Sequence, residues 1–295
     1  MCSSDLDGEN WRTISISNNS IVRSLAIDSS GTVYAGAVDE FGYLTPDRYG
    51  KLHYHSLSAD LDSTYFPLGG DVWKTYTFGD IVVFNTFKYA FVFNHKKLKA
   101  AIPLPNGAFF GFKIENYLLF GNYLLGIIKL NPKTLKLDTL KGCEQFMGPG
   151  KDIFLIEQIN KNELLIASPS DGLVKLNLQN NQITSFTDKQ LNQNIINHWV
   201  YHGINIKNSN FFATIYNNGG ILEINQNGQQ IGCISTDYGL IKESNNQITY
   251  LFSTDQTNRQ TPLWITTMNG IAKAQINSPF RKFGIESGLA GVITD

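Results

Sequence analysis

Glu163-Leu164-Leu165-Ile166 runs, after a few residues, into Gly172-Leu173-Val174-Lys175-Leu176: an apolar run, a small residue and a second alternating run, the pattern of two neighbouring strands. The unit recurs on both sides. Toward the N-terminus it is Tyr117-Leu118-Leu119-Phe120 into Gly126-Ile127-Ile128-Lys129-Leu130, Ile81-Val82-Val83-Phe84 into Ala90-Phe91-Val92-Phe93, and Thr32-Val33-Tyr34-Ala35-Gly36 into Gly42-Tyr43-Leu44. Toward the C-terminus it is Phe211-Phe212-Ala213-Thr214-Ile215 into Gly220-Ile221-Leu222-Glu223-Ile224, and Leu263-Trp264-Ile265-Thr266 into Gly270-Ile271-Ala272-Lys273-Ala274. Anchored on Gly42, Ala90, Gly126, Gly172, Gly220 and Gly270, the steps are 48, 36, 46, 48 and 50 residues, close to the roughly 40 to 50 of a propeller blade. The repeat predicts an all-β fold, a β-propeller.

Each unit has room for the four strands of a blade. In the first, Ile21 to Asp28 reads as the innermost strand, Thr32 to Ala37 as the second, and Gly42 to Leu44 with Lys51 to Leu57 as the outer pair. Ser29-Ser30-Gly31 and Asp47-Arg48-Tyr49-Gly50 supply the hairpins, since Gly, Asn and Asp tolerate the positive φ that tight turns need. The same turn grammar returns at Asn131 to Thr134, Asn177 to Asn181 and Asn225 to Gly228. The recurring Gly opens the third strand, where the expectation is crowding by a neighbouring blade. No long segment keeps apolar residues at helical spacing.

At the ends, Trp11 to Ile16 reads as an outermost strand without a blade, Arg281 to Ile285 as the outer strand of the sixth unit, and Gly291 to Asp295 as the start of another inner strand. The prediction is a seven-bladed ring cut as its last blade begins, with about six blades of four antiparallel strands present and Trp11 to Ile16 close to Gly291 to Asp295. Residues 1–9 are expected to be a disordered or foreign leader and residues 10–295 one propeller domain, incomplete at its C-terminus.

Composition fits a β-rich body. The chain has 295 residues, 42% of them hydrophobic and 12% aromatic, enough for a large core in one domain. A net charge of -1 gives no electrostatic footprint for nucleic acid. No apolar run reaches the roughly 18 residues of a membrane span, and Met1 to Leu6 lacks the basic start and apolar core of a secretory signal.

Motifs for catalysis or metal binding do not emerge. His53 and His55 share one strand face without a third ligand and read as a solvated outer-strand pair. His198 and His202 flank Trp199-Val200-Tyr201 and, as strand residues, would stand too far apart to share an ion. Gly148-Pro149-Gly150-Lys151-Asp152 lacks the glycine spacing and the Ser or Thr of a phosphate loop, and there is no Gly-x-Ser-x-Gly elbow. Cys2, Cys143 and Cys233 lack metal-type spacing; for Cys143 and Cys233, two separate buried thiols are favoured over a bridge.

Two stretches carry a family likeness. Ile21-Val22-Arg23-Ser24-Leu25-Ala26-Ile27-Asp28, Gly31-Thr32-Val33-Tyr34-Ala35-Gly36 and Glu40-Phe41-Gly42-Tyr43-Leu44 resemble the opening blade of the bacterial two-component regulator propellers. Tyr238-Gly239-Leu240, Ile248, Asp255, Leu263-Trp264-Ile265-Thr266-Thr267 and Asn269-Gly270-Ile271 resemble that family's repeat, Gly-Leu, a strand ending in Asp, Leu-Trp-Ile-Gly-Thr, then Asn-Gly-Leu. Thr266 replaces the usual Gly, and the middle units lack the Trp. The resemblance implies a sensory ectodomain outside the inner membrane, followed in a longer parent by a tyrosine-rich sandwich, a membrane span and a kinase or DNA-binding output. It implies a small-molecule or carbohydrate ligand, no cofactor, no nucleic acid for this domain, contact with a membrane only through the parent, and room for a homodimer.

In propellers the lead-in to each inner strand and the loop between the two middle strands share one face, a natural concave site. Arg23, Glu40, Trp73, Lys74, Lys88, Asp171, Trp199, Tyr201 and Asn217 are the candidate ligand contacts on that face, with no catalytic and no metal residue among them. The alternative for Trp73 and Trp199 is packing between blades, and for Arg23 a tie between strands. A sensing domain without catalytic activity is the leading reading; a propeller lyase or glycosidase, or an interaction scaffold, is the alternative.

Overall fold

The computed structural model describes residues 2–4, 11–65, 70–198, 200–206, 211–215, 220–234, 248–253, 262–267 and 270–276. The chain divides into two compact units, Met1–Ile153 and Phe154–Asp295. The first opens with β1 (Cys2–Ser4) paired antiparallel to β2 (Trp11–Thr13). Three four-stranded sheets follow: β3 (Val22–Ile27), β4 (Val33–Ala37), β5 (Glu40–Pro46) and β6 (Leu52–Ser56); β7 (Lys74–Phe78), β8 (Ile81–Asn85), β9 (Tyr89–Asn94) and β10 (Lys97–Pro103); and β11 (Gly111–Ile114), β12 (Tyr117–Asn122), β13 (Gly126–Asn131) and β14 (Lys136–Thr139). The second unit holds β15 (Leu155–Asn160), β16 (Glu163–Ser168), β17 (Gly172–Asn177) and β18 (Ile183–Ser185), then α1 (Lys189–His198), then β19 (Val200–Asn205), β20 (Phe211–Ile215), β21 (Ile221–Ile224) and β22 (Gln230–Ile234). A three-stranded sheet of β23 (Ile248–Ser253), β24 (Leu263–Thr267) and β25 (Gly270–Ala274) completes the described elements.

Every sheet is an antiparallel meander in chain order, as propeller blades are. Five blades are complete among the described residues, not the six expected. The sixth repeat supplies three strands, and its expected outer strand, Arg281 to Ile285, lies outside the described residues, as does Gly291 to Asp295.

The local chemistry accounts for these sheets. Four outer hairpins turn on one acceptor: Asp47 Oδ1 takes the N–H groups of Tyr49 (2.8 Å) and Lys51 (2.9 Å), Asn131 Oδ1 those of Lys133 (2.9 Å) and Thr134 (3.1 Å). Asn177 Oδ1 receives Gln179 N–H at 2.9 Å, and Asn225 Oδ1 receives Asn227 N–H at 2.9 Å. Short amide and carboxylate side chains mimic a backbone turn in this way. Middle strands are buried on both faces, β8 along its whole length. In the first unit, Phe41 of β5 stacks on Phe84 of β8 at 4.3 Å and meets Phe93 of β9 edge-on at 5.6 Å, seaming the first blade to the second. Phe120, Leu118 and Ile128 pack with Val83 and Val92 to seam the second to the third. Each such side chain contributes roughly 1.5 to 3 kcal/mol. Innermost strands are also tied directly: Thr77 Oγ1 donates to Ile27 O (3.0 Å) and Lys113 Nζ to Thr77 O (2.6 Å). In the second unit Asn205 Nδ2 donates to Gln158 O (3.4 Å).

Three sequence expectations need correction. Helix α1 occupies the connection from β18 to β19, so His198 ends a helix instead of a strand, while His202 stands in β19 and its Nδ1 accepts Leu251 N–H (3.3 Å). Asp188 caps the helix through Leu191 N–H (2.8 Å), and Leu191 with Ile195, one turn apart, enters the core; two apolar positions in ten residues are too few to register as a helical stripe. At Gly126 and Gly172 the crowding comes from the segment after the same blade's outer strand, not from a neighbouring blade. A Cβ on Gly126 (φ 76°) would lie 2.4 Å from Cys143 O, and one on Gly172 (φ 68°) 2.3 Å from Asn192 Oδ1 of α1. Cys143 is buried and Cys233 exposed, and the two form no disulfide with each other. His53 and His55 are exposed on β6 as expected.

Candidate functional site

The first unit gathers rings and cations at one end of its blades. Arg23 on β3 places Nε 2.9 Å from Asp71 Oδ1 and its guanidinium 5.3 Å from the centre of the Trp73 ring. It therefore ties the first blade to the lead-in of the second, the alternative the sequence left open for it, while its face lies on an aromatic ring. Trp73 meets Phe110 edge-on at 5.9 Å and Phe109 at 6.4 Å. Phe109 also meets Phe87 at 4.8 Å. Lys74, first residue of β7, sets its ammonium 5.9 Å from the Phe110 ring, and burial lowers its pKa from the ordinary 10.5 to about 8. Lys88, beside Phe87 in the β8–β9 turn, is exposed. Phe109 is 49% exposed, so the cluster keeps one ring open to water.

Phe87, Lys88, Phe109 and Phe110 stand on loops that are hydrogen-bonded to one another. Ala108 N–H donates to Phe87 O (2.8 Å), and Leu104 N–H to Lys88 O (2.8 Å). Asn85, buried at the end of β8, accepts Gly111 N–H at 2.8 Å and donates to Thr86 O at 2.7 Å. Asn122, at the matching end of β12, donates to Pro105 O and to Gly107 O (3.3 Å) and accepts the N–H groups of Leu124 (3.1 Å) and Leu125 (3.0 Å). Gly148 N–H closes on Tyr123 O (2.6 Å). A buried amide with all its groups engaged holds each loop in one arrangement.

The remaining candidates separate. Glu40 is 6% exposed, and its Oε1 accepts from Tyr54 Oη (3.0 Å), Ser56 Oγ (2.7 Å) and Ser58 Oγ (2.7 Å). It serves as an internal clamp within the first blade. In the second unit Asp171 Oδ2 accepts from Ser168 Oγ (2.8 Å) and Ser170 Oγ (2.5 Å), and its backbone carbonyl receives Asn192 Nδ2 of α1 (2.9 Å). Tyr201 belongs to β19. Trp199 and Asn217 lie outside the described residues.

Sequence reasoning missed Asp71, Phe87, Phe109 and Phe110. The usable signal was Phe109-Phe110, one residue after the Asn106-Gly107 turn: two aromatics in a loop, ahead of an inner strand. Among the described residues no three His, Cys, Asp or Glu side chains group as a metal site. Burial pushes the Cys143 thiol up to about 12, far from a nucleophile's range.

No family model matches the chain, and no curated protein does. Solved structures do. The extracellular domain of a one-component system from B. thetaiotaomicron is similar with a TM-score of 0.61 and 15% identity, over 88% of this chain and 35% of that one. The extracellular domain of a hybrid two-component system from the same organism is similar with a TM-score of 0.52 and 15% identity, over 85% of this chain and 39% of that one. A virginiamycin B lyase from Staphylococcus aureus is similar with a TM-score of 0.63 and 14% identity, over 92% and 85%. The chain thus has the β-propeller fold, and it spans little more than a third of the two extracellular domains.

Proposed function

We propose that this chain is the ligand-sensing propeller of a bacterial regulator, located outside the cytoplasm, which binds a small molecule or glycan on the loop face of the first unit and reports occupancy to an output module in a longer protein. The observation that carries it is the ring and cation cluster of Arg23, Trp73, Lys74 and Phe109, set at strand ends beside mutually hydrogen-bonded loops. Binding residues concentrate on loops that a rigid scaffold positions, and an exposed ring beside fixed cations suits a ligand better than a core. The fold shared with two extracellular regulator domains supports the same reading. Signalling then requires only that the ligand bind one arrangement better than another, a coupling of about 1 to 3 kcal/mol.

The same reading takes the blade count of the whole propeller as seven. The likeness to a lyase keeps an enzyme as the second reading.

The test is thermal unfolding of the purified chain against a panel of oligosaccharides and small metabolites, with turnover followed in parallel. The expected outcome is stabilisation by one ligand class that Phe109→Ala abolishes, without conversion of the ligand. Conversion would establish the enzyme reading instead, and stabilisation that Phe109→Ala leaves intact would remove the site.

A further inference from the structure

The end of the first unit's blades opposite the ring cluster is basic. The β7–β8, β9–β10, β11–β12 and β13–β14 turns share that end, because each sheet is a meander and the loops with Phe87 and Phe109 take the other. Seven lysines of the second and third blades stand there against Asp80, Glu115 and Asp138, in a chain whose net charge is -1. Lys136 pairs with Asp138 at 2.9 Å. Four of the others meet neutral partners: Lys99 Nζ donates to Lys133 O (2.8 Å) and Lys113 Nζ to Thr77 O (2.6 Å), while the ammonium groups of Lys96 and Lys129 lie 4.2 Å and 3.6 Å from the centres of the Tyr43 and Tyr117 rings. Such contacts hold the side chains in place without neutralising them. The first blade adds no excess of acid at this end, since Asp47 stands beside Arg48 and Lys51, and Asp28 Oδ1 accepts the N–H groups of Ser30 and Thr32.

Lysines on outer strands guard a sheet edge against pairing, which accounts for Lys97 and Lys99 on β10 and Lys136 on β14. It does not account for Lys96 and Lys133 in turns, or for Lys113 and Lys129 on β11 and β13, away from the outer edge. Two large side chains share the surface. Leu98, between Lys97 and Lys99, is 41% exposed, and the strand register shifts between Leu98 and Ala100, a bulge that re-aims side chains at an edge. Tyr49, in the β5–β6 turn at the same end, is 78% exposed and has the Arg48 guanidinium 4.6 Å from its ring centre.

We propose that this end of the first unit docks on an anionic lipid bilayer, its lysines against lipid phosphates and Leu98 and Tyr49 in the headgroup layer. Lysines dispersed over several turns and strand ends suit a surface of many phosphates better than one small ligand. An apolar side chain and a tyrosine among the cations fit the boundary between headgroups and acyl chains, whereas attraction to nucleic acid phosphates gains nothing from Leu98. The inference goes beyond the proposed function and takes from it only the location outside the cytoplasm. It departs from the sequence expectation that the parent alone meets a membrane.

Co-sedimentation of the purified chain with vesicles tests this, using phosphatidylcholine alone and phosphatidylcholine with about 30% phosphatidylglycerol. Binding to the anionic vesicles is expected to be at least ~10-fold stronger at about 0.1 M salt, and to fall toward the neutral level at about 1 M, where screening acts within roughly 3 Å. Lys97→Ala combined with Lys133→Ala should weaken it roughly 10- to 30-fold. Lys97→Arg combined with Lys133→Arg should keep it, which separates lost charge from a lost fold. Leu98→Asn should weaken vesicle binding roughly threefold and leave binding to a short DNA duplex unchanged. Equal binding to neutral and anionic vesicles, or no binding to either, overturns the proposal. Binding to the DNA without binding to the vesicles assigns the surface to nucleic acid and also overturns it, as does vesicle binding that ignores the alanine pair or Leu98→Asn. Phe109→Ala lies at the other end and should leave vesicle binding unchanged, so failure of this docking and failure of the sensing site are read separately.

Discussion

Lys74→Met should make the protein more stable. Burial lowers the Lys74 pKa from 10.5 to about 8, and one pK unit corresponds to about 1.4 kcal/mol, so carrying the charge in the fold costs on the order of 3 kcal/mol at neutral pH. Water at the half-buried side chain screens part of this, leaving about 1 to 3 kcal/mol. The pH dependence has a definite sign. Between about pH 8 and 10.5 the folded chain binds fewer protons than the unfolded chain, so Lys74 makes stability rise with pH across that window. Methionine keeps the stem's length without the charge. The variant should therefore exceed the wild type by about 1 to 3 kcal/mol near pH 7, with the gap closing as the pH approaches 10.5. Urea denaturation of both proteins across this range measures the gap. Taking the difference cancels groups common to both, including the Cys143 thiol, which burial pushes up to about 12. Two parallel curves, or a variant less stable at neutral pH, would refute the buried-charge argument.

Glu157 should give the opposite slope: burial raises its pKa from 4.5 to about 7, against a hydrogen bond from the Asn205 backbone. Its contribution is then full below 4.5 and lost as the pH rises through about 7, and Glu157→Gln should flatten the stability curve there by roughly 3 kcal/mol at most. Glu40→Ala strands three hydroxyl donors in the first blade and should cost about 2 to 4 kcal/mol in denaturant unfolding, with Glu40→Gln costing less because it keeps an acceptor. Asn122→Ala should cost about 1 to 3 kcal/mol and speed hydrogen exchange at Leu124 and Leu125, whose N–H groups it anchors.

Strands and turns were legible because their causes are local. The run Ile81 to Phe84 has no polar interruption, and between two turn signals it suits a strand buried on both faces. Asp47, Asn131, Asn177 and Asn225 announce their hairpins because one side chain closes each turn. Helix α1 was not legible, since its stability comes from docking Leu191 and Ile195 against the fourth and fifth blades, not from a long apolar stripe. Part of the candidate cluster was legible in the same sense. Arg23, Trp73 and Lys74, nominated together by the blade grammar, stand in one cluster of rings and cations. Glu40 could not be read as a clamp, because its three hydroxyl partners come from β6 and the turn after it, 14 to 18 residues away. Phe87 and Phe109 meet only through tertiary packing, which strand spacing does not encode.

The seams between blades and the proposed recognition surface use different residues in the first unit. The seams between blades are Phe41, Phe84, Phe93, Phe120 and their aliphatic neighbours, all inside the sheets. The proposed recognition surface uses side chains that these seams do not, beside loops whose backbone is fixed from below by Asn85 and Asn122. The two amides close the second strands of consecutive blades, so each loop is anchored at its base while its tip stays free to vary. Exchanging Phe109 or Lys88 for another side chain then alters what the surface attracts without disturbing a blade, whereas exchanging Asn122 disturbs the loop that carries the surface. A repeated scaffold of this kind changes ligand at its tips and keeps its fold at its hinges.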